Sequence, residues 1–146
     1  MNMKKHILYL AVVVVISGCN NYEYGPGISL RTKSARLSNE WIIEDAYKNG
    51  VLLTDSLPEF KITFKKDGEV TKANVETNGT DIDTLDIKTG LWEFDRDAKN
   101  VLLLFANNSG VQEARIWRIL KLTNSEFWFE ERDSLALLEY HLMEKP

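Results

Sequence analysis

The chain has 146 residues, 44% of them apolar and 27% charged, which fits one globular domain with a leader and excludes disordered or collagen-like classes. A net charge of −4 supplies no basic footprint for nucleic acid. One cysteine, Cys19, and two histidines, His6 and His141, exclude an intramolecular disulfide and leave zinc almost without ligands.

The chain starts with "MNMKK", a positive stretch, followed by the apolar run "ILYLAVVVVI" of ten residues. A bilayer-spanning helix needs about 20 apolar residues, so this run reads as the core of a secretory signal. Ile16, Ser17, Gly18 and Cys19 follow. This quartet resembles the bacterial lipobox: an aliphatic residue, two small ones, then the cysteine. The resemblance implies that Cys19 is lipidated, with palmitate among its acyl chains, and that a signal peptidase recognising Ile16, Ser17 and Gly18 removes residues 1–18. Each buried methylene contributes about 0.8 kcal/mol, so one chain anchors weakly and two or three anchor stably. The competing readings are a plain secretory signal and an uncleaved anchor. After cleavage 16 basic and 22 acidic residues remain.

Residues 19–35 read as a flexible linker, polar and carrying Gly-Pro-Gly without apolar periodicity. About 15 extended residues reach roughly 50 Å. Asn20, where aspartate marks inner-membrane retention in enterobacteria, favours the outer membrane. Tyr22 and Tyr24 are candidates for touching the lipid interface.

From residue 36 to 146 the pattern turns to period two, interrupted by turn signals. "RLSNEWIIEDAY" sets Trp41, Ile43 and Tyr47 on one face and ends at Asn49-Gly50. "EFKITFKKDGEV" puts Phe60, Ile62 and Phe64 opposite Lys61, Thr63 and Lys65, then turns at Asp67-Gly68, a strong hairpin signal. "EVTKANVET" returns to Asn78-Gly79. "DTLDIKTGLWEFD" contains Gly90, which predicts a bulge or bend. "VLLLFA", "VQEARIWRILKLT", "EFWFEER" and "SLALLEYHLME" complete about eight strands, the last with a terminal helix as its alternative. Sequential strands on short turns predict an all-β, eight-stranded antiparallel up-and-down barrel, with a two-sheet sandwich as competitor.

The spacing of "LSNEW", "ITFKKDGEV", "TGLWEFD" and "RILKLTNSEFWFEE", from about Leu37 to Met143, resembles the lipocalin-like domains of small bacterial lipoproteins. In typical lipocalins glycine stands where Asn39 does, and an arginine packs over the first-strand tryptophan, with Arg132 one candidate here. The resemblance implies a barrel whose inward rings line an apolar cavity. Trp41, Ile43, Phe60, Ile62, Phe64, Trp92, Phe94 and Trp117 are the candidate lining. A small eight-stranded barrel is also just wide enough for side chains to fill it, and the filled core leads.

Catalytic signals are weak. His141 lies near the carboxyl end with no nucleophile elbow before it, and no phosphate-loop, dinucleotide or zinc-protease motif occurs. Asp81, Asp83 and Asp86 lack the glycine and glutamate of a calcium loop and read as a solvated acidic turn. No metal or cofactor is expected. Ser56, Thr84 and Ser134 sit in D-S/T-L triplets that resemble an O-glycosylation motif of exported proteins. Trp128 against Phe127, and Leu104 against Leu103, must place large apolar groups outside. The expectation is a membrane-anchored, non-catalytic binding lipoprotein of the bacterial envelope, taking a small hydrophobic ligand or, with a filled barrel, an envelope protein partner.

Overall fold

Phe60, Ile62 and Phe64 alternate with half-buried Lys61 and Thr63, and this alternation recurs around a closed wall. The computed structural model describes residue 22 and residues 30–53, 59–78, 81–106 and 112–146, without the side chains of 76–78 and 81–85. A short helix α1 (Lys33–Leu37) precedes β1 (Glu40–Lys48), β2 (Val51–Leu52), β3 (Phe60–Phe64), β4 (Glu69–Asn78) and β5 (Asp81–Phe94). Then come β6 (Asn100–Ala106), β7 (Gln112–Leu122), β8 (Glu126–Arg132) and β9 (Leu137–Glu144). Neighbours in sequence pair antiparallel from β3 to β9, and β1 pairs with both β3 and β9. Eight strands therefore close up-and-down into a lipocalin-like barrel, not a sandwich, and β2 is a two-residue return strand on β1. The carboxyl-terminal segment is strand β9, whose seven pairs with β1 seal the wall.

Turn chemistry sets this register. Asn49 and Gly50 both take positive φ, 50° and 80°, as a two-residue hairpin with right-handed strand twist requires. At Lys65–Gly68 the Trp92 indole donates to the Lys65 carbonyl at 2.9 Å, tying this hairpin to β5.

Three expectations change in detail. A bulge between Ile43 and Asp45 shifts the pleat, so Trp41 and Ala46 are buried and Tyr47 packs outside against the His141 ring at 5.0 Å. Gly90 forms no bulge; it pairs regularly with Val70 and Phe105. A Cβ there would lie 2.3 Å from the Leu104 carbonyl oxygen, so glycine serves a close approach of two backbones. The acidic stretch Asp81–Asp86 is strand, not turn, because β5 begins directly at Asp81.

One end of the barrel is closed. Thr32 caps α1 by accepting from the Ala35 amide at 3.1 Å, and Leu37 is fully buried beneath the wall. The Trp41 indole donates to the Leu37 carbonyl at 2.9 Å. Arg36, buried, donates from Nη1 to the Leu122 carbonyl at 3.0 Å. Arg132 ends β8 at the other end of the barrel and is exposed, so the arginine at the Trp41 end is Arg36. Tyr22 is buried too, with Lys33 Nζ 4.5 Å from its ring centre, and burial pushes its phenol pKa up. Above this floor, Phe64 meets Trp92, Trp117 and Phe127 edge-on at 5.6, 6.4 and 6.0 Å, while Trp117 stacks on Phe129 at 3.9 Å. Such offset and edge-to-face pairs add about 0.5–1.5 kcal/mol each beyond the area they bury.

Candidate functional site

The alternation that buries Trp117 also turns Arg115 and Glu113 inward, two and four residues back along β7. The same logic on β4 takes Val70 inward, then Lys72 and Asn74. Cross-strand pairing sets Lys72 against Lys88, Leu103 against Arg115 and Phe105 against Glu113. Charged side chains therefore line the barrel at the end opposite α1, its mouth.

Most of these charges are committed to one another. Glu113 accepts from the Arg115 guanidinium and from Lys88 Nζ at 3.1 Å, and these bonds, Arg115's foremost, hold its carboxyl below the usual range. Arg115 also donates from Nη1 to Glu131 at 2.7 Å. Burial pushes the Tyr140 phenol up, and the nearby Glu131 carboxylate adds to this. Lys72 differs. Its ammonium lies 4.2 Å from the centre of the Phe60 ring, and no carboxylate reaches it within ion-pair distance among the described residues. Burial, reinforced by the Arg115 charge, pulls its pKa down.

Lys72, Asn74, Lys88, Phe105, Glu113, Arg115 and Trp117 enclose a cavity of about 40 Å³. The Trp117 side chain is 1% exposed and its indole N–H has no acceptor. A buried donor left unpaired costs about 1–3 kcal/mol, and this one is closed off inside the packed rings, with almost no surface open to a water-sized sphere.

The rings named as candidate cavity lining sit differently. Trp41, Ile62, Phe64 and Trp117 are at most 2% exposed, and Phe60 and Trp92 are also buried; Ile43 and Phe94 pack half-buried against them. Such side chains offer almost no surface to a water-sized sphere, outside or in an internal void, so they fill the lower barrel ring against ring. Trp117 alone of the eight borders the mouth cavity. A pocket for a drug-sized ligand typically measures about 300–1,000 Å³.

Outside, β5–β7 present an apolar row. Leu91 pairs with Leu104, which pairs with Ala114; beside them Leu102 pairs with Ile116. Leu91 and Ile116 are each 62% exposed. A groove of about 570 Å³ runs over these residues, bordered by Asp67 and Glu93. On another part of the outer wall His141 stacks on Trp128 at 3.9 Å and bonds Glu139 at 2.7 Å, with Lys121 Nζ 4.1 Å from the Trp128 ring centre.

Other positions singled out from the sequence are scattered. Ser134 is exposed in the turn between β8 and β9, and Thr84 lies on β5, its side chain undescribed. Cys19, Ile16, Ser17, Gly18 and Ser56 lie outside the described residues, as does Tyr24. Among the described residues no three His, Cys, Asp or Glu side chains converge as a metal site. Sequence reasoning missed Lys72, Lys88, Glu113, Arg115 and Glu131. Their signal was charge on the inward parity of strands whose other inward residues are aromatic or aliphatic.

No family model matches the chain, and none of the curated proteins matches it.

Proposed function

We propose that this chain is a lipid-anchored, non-catalytic protein of the bacterial envelope, placed at the outer membrane, whose barrel docks an envelope protein on the outer face of β5–β7. The observation that carries the docking reading is the exposed row Leu91, Leu104 and Ile116 on a barrel whose lower interior is filled. Contiguous apolar surface with a polar rim is what protein contacts use, and among the described residues closure of the eight strands leaves little edge beyond two-residue β2 to offer instead. Asp67, Glu93 and Arg115 border the row, so the partner presents an apolar centre with charges of both signs around it. The non-catalytic reading is supported by the mouth charges being paired with one another rather than poised toward a nucleophile.

In-cell photo-crosslinking tests docking. A crosslinker at position 104 or 116 should trap one defined envelope protein, and one at Thr63, outside the row, should not. Leu104→Asp with Ile116→Lys should abolish that product and leave thermal stability close to the parent, since surface substitutions usually stay within about 0.5 kcal/mol. Equal crosslinking at all three positions, or a product that survives the double substitution, would sink the reading. Anchoring through Cys19 is tested separately. Cys19→Ser should lose lipid label and move from the membrane to the aqueous fraction; retention of both overturns the anchor.

A further inference from the structure

Beyond anchoring and docking, Lys72 is the exception to the pairing of charges at the mouth. Among the described residues the other lysines are paired with a carboxylate, as Lys88 is with Glu113, bonded to a carbonyl, as Lys33 is to that of Ala98, or exposed, as Lys66 and Lys99 are. Lys72 is partly buried, and its Nζ has neither a carboxylate nor another hydrogen-bond acceptor among the described residues. Unlike the Trp117 indole nitrogen, it keeps surface open to the cavity that Lys72 lines. Arg115 and Lys88 stand around it as cations, and the nearby carboxylates, Glu113 and Glu131, are bonded to those cations instead. The Phe60 ring lies beneath at 4.2 Å, with Tyr140 of β9 edge-on to that ring. The ring favours the ammonium through its π face but supplies no fixed negative charge. Burial and the Arg115 charge favour the neutral amine, which is the nucleophilic form.

We infer that Lys72 is a nucleophile that captures small aldehydes at the barrel mouth as an imine. The neutral Nζ attacks the carbonyl carbon, the carbonyl π electrons pass to oxygen, and a proton moves from nitrogen to oxygen. The hydroxyl of this carbinolamine then takes a proton from solvent and leaves as water while the C=N bond forms. Amine and aldehyde thus give imine and water, with nothing oxidised or reduced. Oxygen gains negative charge during the attack, and it does so among the Arg115 and Lys88 cations. The capture is stoichiometric and reversible, so it stands beside a non-catalytic role. Size sets the class. A single water needs about 10–15 Å³ of such space, so a cavity of about 40 Å³ holds about three waters. Acetaldehyde, two carbons and an oxygen, fits that space, and an aromatic aldehyde exceeds it. Entry lies beside Lys88 and Arg115, whose side chains are 38% and 41% exposed. Phe105 in the wall offers the alkyl group an apolar surface.

The test uses the full chain, held in detergent, with limiting acetaldehyde and sodium cyanoborohydride, whose hydride turns the imine into a stable ethylamine. Peptide mass spectrometry reads ethylation lysine by lysine, so the parent chain carries its own controls. At neutral pH Lys72 should be ethylated severalfold faster than exposed Lys66 and Lys99. Its rate should also level off at a lower pH than theirs, because less base is needed to free its amine. Benzaldehyde under the same conditions should lose the preference and label Lys66 and Lys99 first. Ethylation of Lys72 no faster than that of Lys66 and Lys99 overturns the inference. So does a rate that levels off no earlier than theirs, or benzaldehyde labelling Lys72 as selectively as acetaldehyde does. None of these outcomes bears on docking at β5–β7, which crosslinking reads independently.

Discussion

Trp41→Ala should cost the barrel about 3–5 kcal/mol, enough to unfold a large share of chains whose total stability is about 5–15 kcal/mol. Trp41 is fully buried on β1, packs at 5.7 Å against Phe127, and hands its indole N–H to the Leu37 carbonyl. Truncation therefore removes two things at once. It opens a ring-sized void beside Phe127, and it strips the indole bond that ties β1 to the end of α1. The floor made by α1 should loosen first. Urea unfolding would show the loss as a lower midpoint, and heating as a drop of roughly 10–20 °C in Tm. Trp41→Phe, which keeps most of the ring volume but not the N–H, should cost clearly less. A Trp41→Ala loss below about 1 kcal/mol would mean that the ring is not packed as described.

Gly90→Ala is the second large effect, and it comes from one methyl group. The new Cβ would stand 2.3 Å from the Leu104 carbonyl oxygen and 3.0 Å from Phe105 Cα, both backbone atoms. Side chains can turn aside from an intruder; a carbonyl fixed in a sheet can do so only by breaking pairs of the β5–β6 ladder. Overpacking typically costs about 1–3 kcal/mol, and a clash with backbone belongs at or above the upper end, so we expect about 3 kcal/mol. The comparison is Gly68→Ala, whose Cβ would sit at an ordinary 3.5 Å from the Trp92 carbonyl oxygen but whose φ of 91° disfavours any side chain. That variant should lose about 1 kcal/mol. If both cost the same in denaturant titrations, crowding by Leu104 is not what holds position 90 to glycine.

The strands were legible because each is short, alternating and ended by a turn residue whose backbone needs are strict. Asp67-Gly68 and Asn49-Gly50 punctuate the chain where the hairpins turn, and "FKITF" states its inward face outright. Bulges were not legible. Nothing in "WIIEDAY" announces that the pleat shifts after Ile43, so Tyr47 reads as inward until its packing on His141 is seen. Arg36 as the buried arginine escaped for a related reason, since it heads "RLSNEWIIEDAY" as a polar residue to which period two assigns no inward place. The mouth cluster was hidden by habit of pattern reading. Period-two analysis looks for apolar residues on the core parity, and Lys72, Glu113 and Arg115 occupy that parity with charge. Only closure of the barrel shows that these residues, far apart in sequence, face one space. The outer row was half visible: Leu104 opposing Leu103 required something apolar outside, but only cross-strand register joins it to Leu91 and Ile116.

Tyr22 gives the barrel a compass. It is buried in the floor, on the same side as α1, and it follows Cys19 by three residues. Three trans peptides span at most about 11 Å. A lipid on Cys19 would therefore hold the closed end down against the headgroups rather than let the domain swing on a long leash. With such a lipid the mouth would face away from the membrane, toward the aqueous space above. The Leu91, Leu104 and Ile116 wall, on the barrel's flank, would then face sideways toward a neighbour in the same leaflet.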